Sequence, residues 1–417
     1  MKKQLRMSGS SEDFLRKSGF RPEREMLVAA MRAFEDEAAK AVAGEPSSLR
    51  MIDSHLPGCV DVQSLADRPV IVVDAGGTNL RVASVRLTAG GPVFAHVRKS
   101  RMPGTDGLVS SEAFHRAIAA EVDAVRACEP QAACIGYCFS YECKSLPDGD
   151  AELVAWSKQI AAPDVIGQRV GAELVRRLAR GPLPVVVLND TVATLLAGLS
   201  RQDTVCPGQV GFILGTGTNL ASIENGTIRN AESGECDKVP RTPCDLAYDA
   251  TLPDTGAAPF EKMVSGAYLG GVGLELLKAA AREGLLQANG LDELALSTRD
   301  LDSFAAGGAD AANPLAAILS PDDVPVAQEI ARAVVRRSAL LTAAHLAAFV
   351  RRSAEAGRAP VRVTVDGSTY WKTRAVDFDG IVRAEMAALV PDIPFEIFRT
   401  DEAPMVGAAV AAACVRR

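Results

Sequence analysis

One design occurs twice along this chain, and it constrains the fold more than any other feature. The apolar, β-branched run Val70-Ile71-Val72-Val73 ends in Asp74, turns through Ala75-Gly76-Gly77-Thr78-Asn79 and resumes as Leu80-Arg81-Val82-Ala83-Ser84-Val85. Further on, Val210-Gly211-Phe212-Ile213-Leu214 turns through Gly215-Thr216-Gly217-Thr218-Asn219 and resumes as Leu220-Ala221-Ser222-Ile223. Strand, glycine-rich turn and strand read as a β-hairpin. Gly76 and Gly215 stand 139 positions apart, about one domain length. The chain therefore reads as an internal structural duplication with one hairpin in each half.

Two more β-branched runs end in polar residues: Val185-Val186-Val187-Leu188 before Asn189-Asp190, and Val361-Arg362-Val363-Thr364-Val365 before Asp366-Gly367-Ser368. Helices are expected over 22–43, 112–127, 164–180, 262–285 and 327–356, and a further helix from Thr191 to Leu199. In the first, Leu27, Met31, Phe34, Ala38 and Val42 recur at helical spacing behind Pro22. Strands alternating with helices give an α/β protein. A chain of 417 residues makes two or three domains of it.

With 48% hydrophobic and 23% charged residues the chain can bury a sizeable core. Its net charge of −7 argues against a nucleic-acid groove or an anionic membrane as main partner. The nine cysteines are an odd number with no Cys-x-x-Cys, which fits a reducing compartment better than a disulfide framework. Met1 to Arg6 is basic but has no apolar run behind it, so no signal peptide is expected. The apolar stretch Ser338–Val350 has 13 residues, short of the roughly 20 that cross a bilayer. The expectation is a soluble, cytoplasmic protein, monomer or homodimer.

Glycine and threonine in a turn let backbone N–H groups and hydroxyls approach phosphate oxygens with no side chain in the way. Asp74, where a strand runs out, could meet a hydrated Mg²⁺; it could equally be an ordinary turn aspartate. Asn189-Asp190-Thr191 also has two readings. Asp190 or Thr191 could N-cap the helix that follows, or Asp190 could be a general base at the mouth of a cleft. The chain has no Gly-Lys dipeptide and hence no P-loop, and Gly215-Thr216-Gly217 lacks the third glycine of a dinucleotide fingerprint. Cys134, Cys138 and Cys143 lack paired metal-site spacing and read as buried structural thiols. His55, His96, His115 and His345 are dispersed; His345, in an apolar helix, reads as packed or capping. No hydrolase nucleophile elbow appears.

The order of motifs resembles the eukaryotic-type hexokinases and glucokinases over nearly the whole chain, from about Ser47 to Gly407. Asp74 to Arg81 resembles their first phosphate motif, and Gly211 to Asn219 their second. Phe139-Ser140-Tyr141 with Trp156-Ser157-Lys158 resembles their sugar-binding segment, and Asn189 to Leu195 the stretch with their catalytic aspartate. Asn230-Ala231-Glu232 and Phe260 to Gly266 look like the segments that supply sugar-contacting glutamates. Val365 to Tyr370 looks like the adenosine motif.

The resemblance implies the actin-like ATPase fold, two α/β domains around a cleft, and ATP-dependent phosphorylation of a hexose. It implies a small domain of 66–190 plus 405–417 and a large one of 1–65 plus 191–404. It makes Asp190 the general base on the 6-hydroxyl, with Lys158 beside it in catalysis. Ser140, Ser157, Lys158, Asn189, Asn219, Glu232 and Glu261 would bind the sugar. Gly76, Gly77, Thr78, Asn79, Arg81, Gly215, Thr216 and Gly217 would hold ATP phosphates, Gly367 and Ser368 would lie beside the adenosine, and Asp74 would reach Mg²⁺ through water. A silent sugar sensor and a repressor-related sugar kinase are the rival readings; the latter's cysteine cluster with a zinc-binding histidine is absent. Three positions depart from the family pattern: Tyr141-Glu142 replaces Phe-Pro, Ser157 replaces threonine and Ser233 replaces tryptophan. The added carboxylate of Glu142 and the room left at Ser233 predict a sugar range that differs in breadth from a strict glucokinase, with glucose still accepted.

Overall fold

Both hairpins form, and each is the centre of a sheet of the same design. The computed structural model describes residues 11–58, 68–156, 160–200, 208–308, 312–354 and 360–414. Its strands are β1 (Ile52–Pro57), β2 (Pro69–Gly76), β3 (Asn79–Thr88), β4 (Gly91–Arg101), β5 (Ile135–Phe139), β6 (Glu142–Ser145), β7 (Ala151–Ala155), β8 (Val185–Leu188), β9 (Gln209–Leu214), β10 (Thr218–Glu224), β11 (Thr227–Asn230), β12 (Val361–Asp366) and β13 (Phe395–Arg399). One sheet runs β4-β3-β2-β5-β8 and the other β1-β11-β10-β9-β12-β13, while β6 and β7 form a small separate hairpin. Leaving out β1, the two orders match strand for strand. Three antiparallel strands are followed by two parallel ones in each. This is the duplicated α/β architecture that the paired hairpins imply.

Alternation along β2 shows why a β-branched run is needed there. Ile71 and Val73 join a cluster with Phe114, Ile118 and Phe139, whereas Val70 and Val72 join Leu195, Leu196 and Val410. Both faces of the sheet are therefore covered, which demands apolar residues at every position rather than at every second one.

The last strand of each unit feeds a helix, Asp190–Leu199 after β8 and Ala403–Cys414 after β13. These two helices pack on each other at the junction of the units. Their backbones come so close at Gly407 that a Cβ there would lie 1.8 Å from the Ala193 carbonyl oxygen. A Cβ on Gly136 of β5 would lie 2.0 Å from the Ala408 carbonyl oxygen. Only glycine fits at either place.

The second unit is built around the helix Val324–Ser353. By length and composition it is apolar enough to cross a membrane, but 89% of its most apolar window is buried inside the protein. His345 lies within it, fully buried among Phe34, Phe212, Phe260 and Phe349 with neither ring nitrogen partnered. Burial pushes its pKa down to about 3, so it packs as a neutral ring. Cys134 and Cys138 are buried thiols, and Cys143 is half-buried.

Four expected helices differ in extent, the one expected over 327–356 running as Val324–Ser353. The first spans Arg24–Ala43; it buries Leu27, Met31, Phe34 and Ala38 but leaves Val42 exposed. The stretch 164–180 holds only a short 3-10 turn and the helix Val170–Arg176, because Gly167 turns at φ +81° and its N–H donates to the Leu153 carbonyl. The stretch 262–285 divides into Pro259–Val264 and Leu269–Arg282.

Gly407→Ala should force these helices apart. It is expected to destabilise the protein by about 1–3 kcal/mol, the usual cost of overpacking, as read from urea unfolding.

Candidate active site

Asn189 settles the local question at Asp190. It occupies the N-cap of the helix Asp190–Leu199, and its Oδ1 accepts the Thr191 N–H at 2.8 Å. With the cap filled by Asn189, the Asp190 carboxylate is left at the helix N-terminus, where among the described residues it accepts the Thr191 hydroxyl at 3.3 Å. Neither Asp190 nor Thr191 is the cap.

Three other carboxylates feel the charge of Asp190: Asp74 at the end of β2, Asp366 at the end of β12, and Glu232 after β11. For each, burial is the main cause that raises its pKa, and Asp190 adds to the rise. Opposing it at Asp74 is the Arg81 guanidinium, whose Nε donates to Oδ2 at 2.9 Å and whose Nη1 also pairs with Glu402. Arg81, expected to meet a nucleotide, is thus bound to Asp74.

The two turns are braced from outside. In the first, Gly77 has φ +66°, a conformation glycine takes without strain, and its carbonyl accepts the Tyr141 hydroxyl at 2.9 Å. Thr78 accepts the Met102 N–H at 2.9 Å through its carbonyl. Gly76 lies beside Asp74 and Ser140, and Thr78 and Asn79 are exposed at the turn. In the second, the Gly215 carbonyl accepts the Gly266 N–H at 2.8 Å and the Thr369 hydroxyl at 2.7 Å, and the Thr216 carbonyl accepts the Ala267 N–H at 3.0 Å. These bonds to Gly266 and Ala267 are what break the 262–285 helix. Gly367, at φ +119°, packs against Leu214 and Gly215, so Ser368 lies beside the turn. Gly215, Thr216, Ser368 and Thr369 line one pocket with Arg299, Lys372 and Arg374.

A second pocket, of about 240 Å³, collects Ser140, Asn189, Asn219, Glu232 and Glu261 from both units. Glu261 accepts the Thr218 N–H at 2.8 Å, tying it to the second turn, and Gly217 is glycine because a Cβ would lie 2.5 Å from Glu261 Oε2. Burial raises the Glu261 pKa against that bond. The Asn219 Oδ1 accepts the N–H of Leu220 and of Ser233, and its amide donates to Asn230, which donates in turn to Glu232 at 2.7 Å. Glu232 itself is held at φ +51°, a strained backbone of the kind found at binding sites.

Sequence reasoning missed four contributors: Arg50, Glu235, the Asn230 relay and the Tyr141 hydroxyl. Arg50 and Glu235 line the second pocket, and nothing in their neighbours signals it. Of the departures, Ser233 is fully buried and Glu142 is ion-paired to Arg50. Ser157 and Lys158 lie outside the described residues.

Two hexokinase family models match the chain, over residues 15–199 and 209–414. The hexokinase of Schistosoma mansoni is 30% identical over 366 residues, covering 78% of this chain and 79% of its own. The chain belongs to the hexokinase family. A Schistosoma mansoni hexokinase solved with glucose superposes with a TM-score of 0.78 at 25% identity, over 97% of this chain and 99% of that one. Human Hexokinase-3 is 29% identical over 95% of this chain but only 46% of its own length; the chain spans about half the length of the mammalian relatives it matches. The hexokinase fold accounts for the duplicated sheets and the cleft between them.

The buried glutamates give a stability test. A carboxylate whose pKa is raised on folding costs stability above that pKa, and the cost fades as the pH falls towards its unfolded value. Glu232→Gln should therefore raise the melting temperature of the free protein at pH 7.5 and lose that advantage near pH 4. Scanning calorimetry at the two pH values checks it.

Proposed function

We propose that this chain transfers the γ-phosphoryl group of ATP to the 6-hydroxyl of a hexose, with glucose the first substrate to try. One observation carries the reading: a carboxylate freed from its capping role at a helix N-terminus, between two glycine turns and beside a pocket of sugar-type hydrogen-bonding groups. The glucose in the Schistosoma mansoni structure supports the choice of sugar.

In this reading Glu232, Glu261, Asn189 and Ser140 orient the hexose so that its 6-hydroxyl faces Asp190, together with Ser157 and Lys158. As the hydroxyl oxygen bonds to the γ-phosphorus, its proton passes to Asp190 and the bond to the β-phosphate oxygen breaks, leaving ADP and the hexose 6-phosphate. Backbone N–H groups of Gly77, Thr78, Gly215 and Thr216 meet the phosphates, with Gly76, Asn79 and Gly217 completing the turns. Gly367 and Ser368 flank the adenosine. Among the described residues no acidic, histidine or cysteine side chains gather into a metal cage. The buried Asp74 fits a Mg²⁺ held mainly by phosphate and water. Such an ion neutralises charge on the phosphates. The odd number of cysteines, with no Cys-x-x-Cys, favours a reducing compartment, and we place the protein in the cytoplasm.

A coupled ADP-release assay with glucose separates the kinase from a silent sensor, which would bind sugar and release nothing. Asp190→Ala should lower kcat by roughly 10²–10⁴ while sugar binding survives. A variant that keeps more than a tenth of wild-type turnover would remove Asp190 from the chemistry. Tyr141→Phe should loosen the first turn and raise the KM for ATP by about two- to tenfold, the worth of one hydrogen bond, in the same assay.

A further inference from the structure

Glu142 opens β6, two residues after Ser140, and belongs to the first unit. Arg50 lies just before β1 of the second sheet, where its own N–H donates to the Ala231 carbonyl at 3.0 Å, beside Glu232. The Arg50 Nη1 donates to Glu142 Oε1 at 2.5 Å. The pair therefore crosses the cleft, and both side chains line the pocket that holds Ser140, Asn189, Glu232 and Glu261. The Arg50 guanidinium also feels the charges of Glu232 and Glu235. It is the one cationic side chain among the described residues that line this pocket.

We propose that Arg50 and Glu142 form a clasp across the mouth of the sugar pocket, which holds the two units towards the closed arrangement and positions Arg50 against the sugar-binding glutamates. The inference rests on the reading of this pocket as the hexose site. The bond can form only when the units approach, so it stabilises the closed form and not the open one. A ligand whose competent state is only partly populated binds with its affinity reduced by that fraction. The clasp raises the fraction before any sugar arrives, and it lowers the KM for the hexose without entering the phosphoryl transfer. Both side chains are partly exposed, at 50% and 38%, so the effect is modest and screened by salt.

Four proteins test this: wild type, Arg50→Gln, Glu142→Gln and the double variant. Each single variant is expected to raise the hexose KM by about two- to fivefold, the range of a partly exposed ion pair, with kcat unchanged. The double variant should be no worse than either single one, and the reversed pair Arg50→Glu with Glu142→Arg should recover most of the loss. Raising the salt from 0.05 to 0.5 M (about a threefold shorter screening length) should raise the wild-type KM and leave that of Glu142→Gln unmoved. Sugar binding to the four proteins, measured by calorimetry without ATP, should follow the same pattern. This keeps the clasp testable even if the chain turns over no substrate. Additive effects of the two single variants, or an equal salt response in wild type and Glu142→Gln, would overturn the clasp. Absence of any hexose binding in wild type would instead overturn the reading of the pocket.

Discussion

The contact between the two helices that follow β8 and β13 sets the rest of the molecule. Gly407 lets them meet backbone to backbone at Ala193, and the Asp190–Leu199 helix runs from that contact to its N-terminus in the cleft. Protein interiors are close-packed and transmit small shifts, so the position of Asp190 depends on a glycine packed against the first turn of its helix. The same contact joins the two duplicated units, and the turns of β2–β3 and β9–β10 face the cleft from either side of it.

Charge is the second constraint. Asp74, Glu232 and Asp366 each feel the negative charge of Asp190, which like charges in a partly buried site resist. The protein offsets this with two guanidinium groups, one within the first phosphate motif and one outside all of the motifs. Arg81 holds Asp74, and Arg50 stands against Glu142, Glu232 and Glu235. The arrangement is destabilising in the free protein and ready for a positively charged or hydrogen-bond-donating ligand, which is how a binding site differs from a core.

The hairpins, the four strand runs and the series of motifs were legible because each depends on local sequence. Gly77 needs positive φ, β2 is buried on both faces, and Asn189 precedes a helix. What was not legible depends on contacts between distant residues. The break at Ser265–Tyr268 exists because Gly266 and Ala267 donate to the second turn some 50 residues earlier, and a helical pattern in one segment carries no sign of that. Tyr141 bonds Gly77 across 64 positions, and Arg50 bonds Glu142 across 92. Residue type alone left Asp190 as either a cap or a base; the geometry of the residue before it decided the cap.

A hexose in this pocket would touch Ser140 and Asn189 of one unit and Asn219, Glu232 and Glu261 of the other, so all of its hydrogen bonds can be made together only if the units close on it. Binding moves that balance only through its stronger attachment to the closed form, and closure would also keep water from the γ-phosphate. Small-angle scattering with and without saturating glucose, paired with ATP hydrolysis in the absence of sugar, tests this most directly. A smaller radius of gyration in the complex and negligible hydrolysis without sugar are expected. An unchanged radius together with sugar-independent hydrolysis would contradict closure.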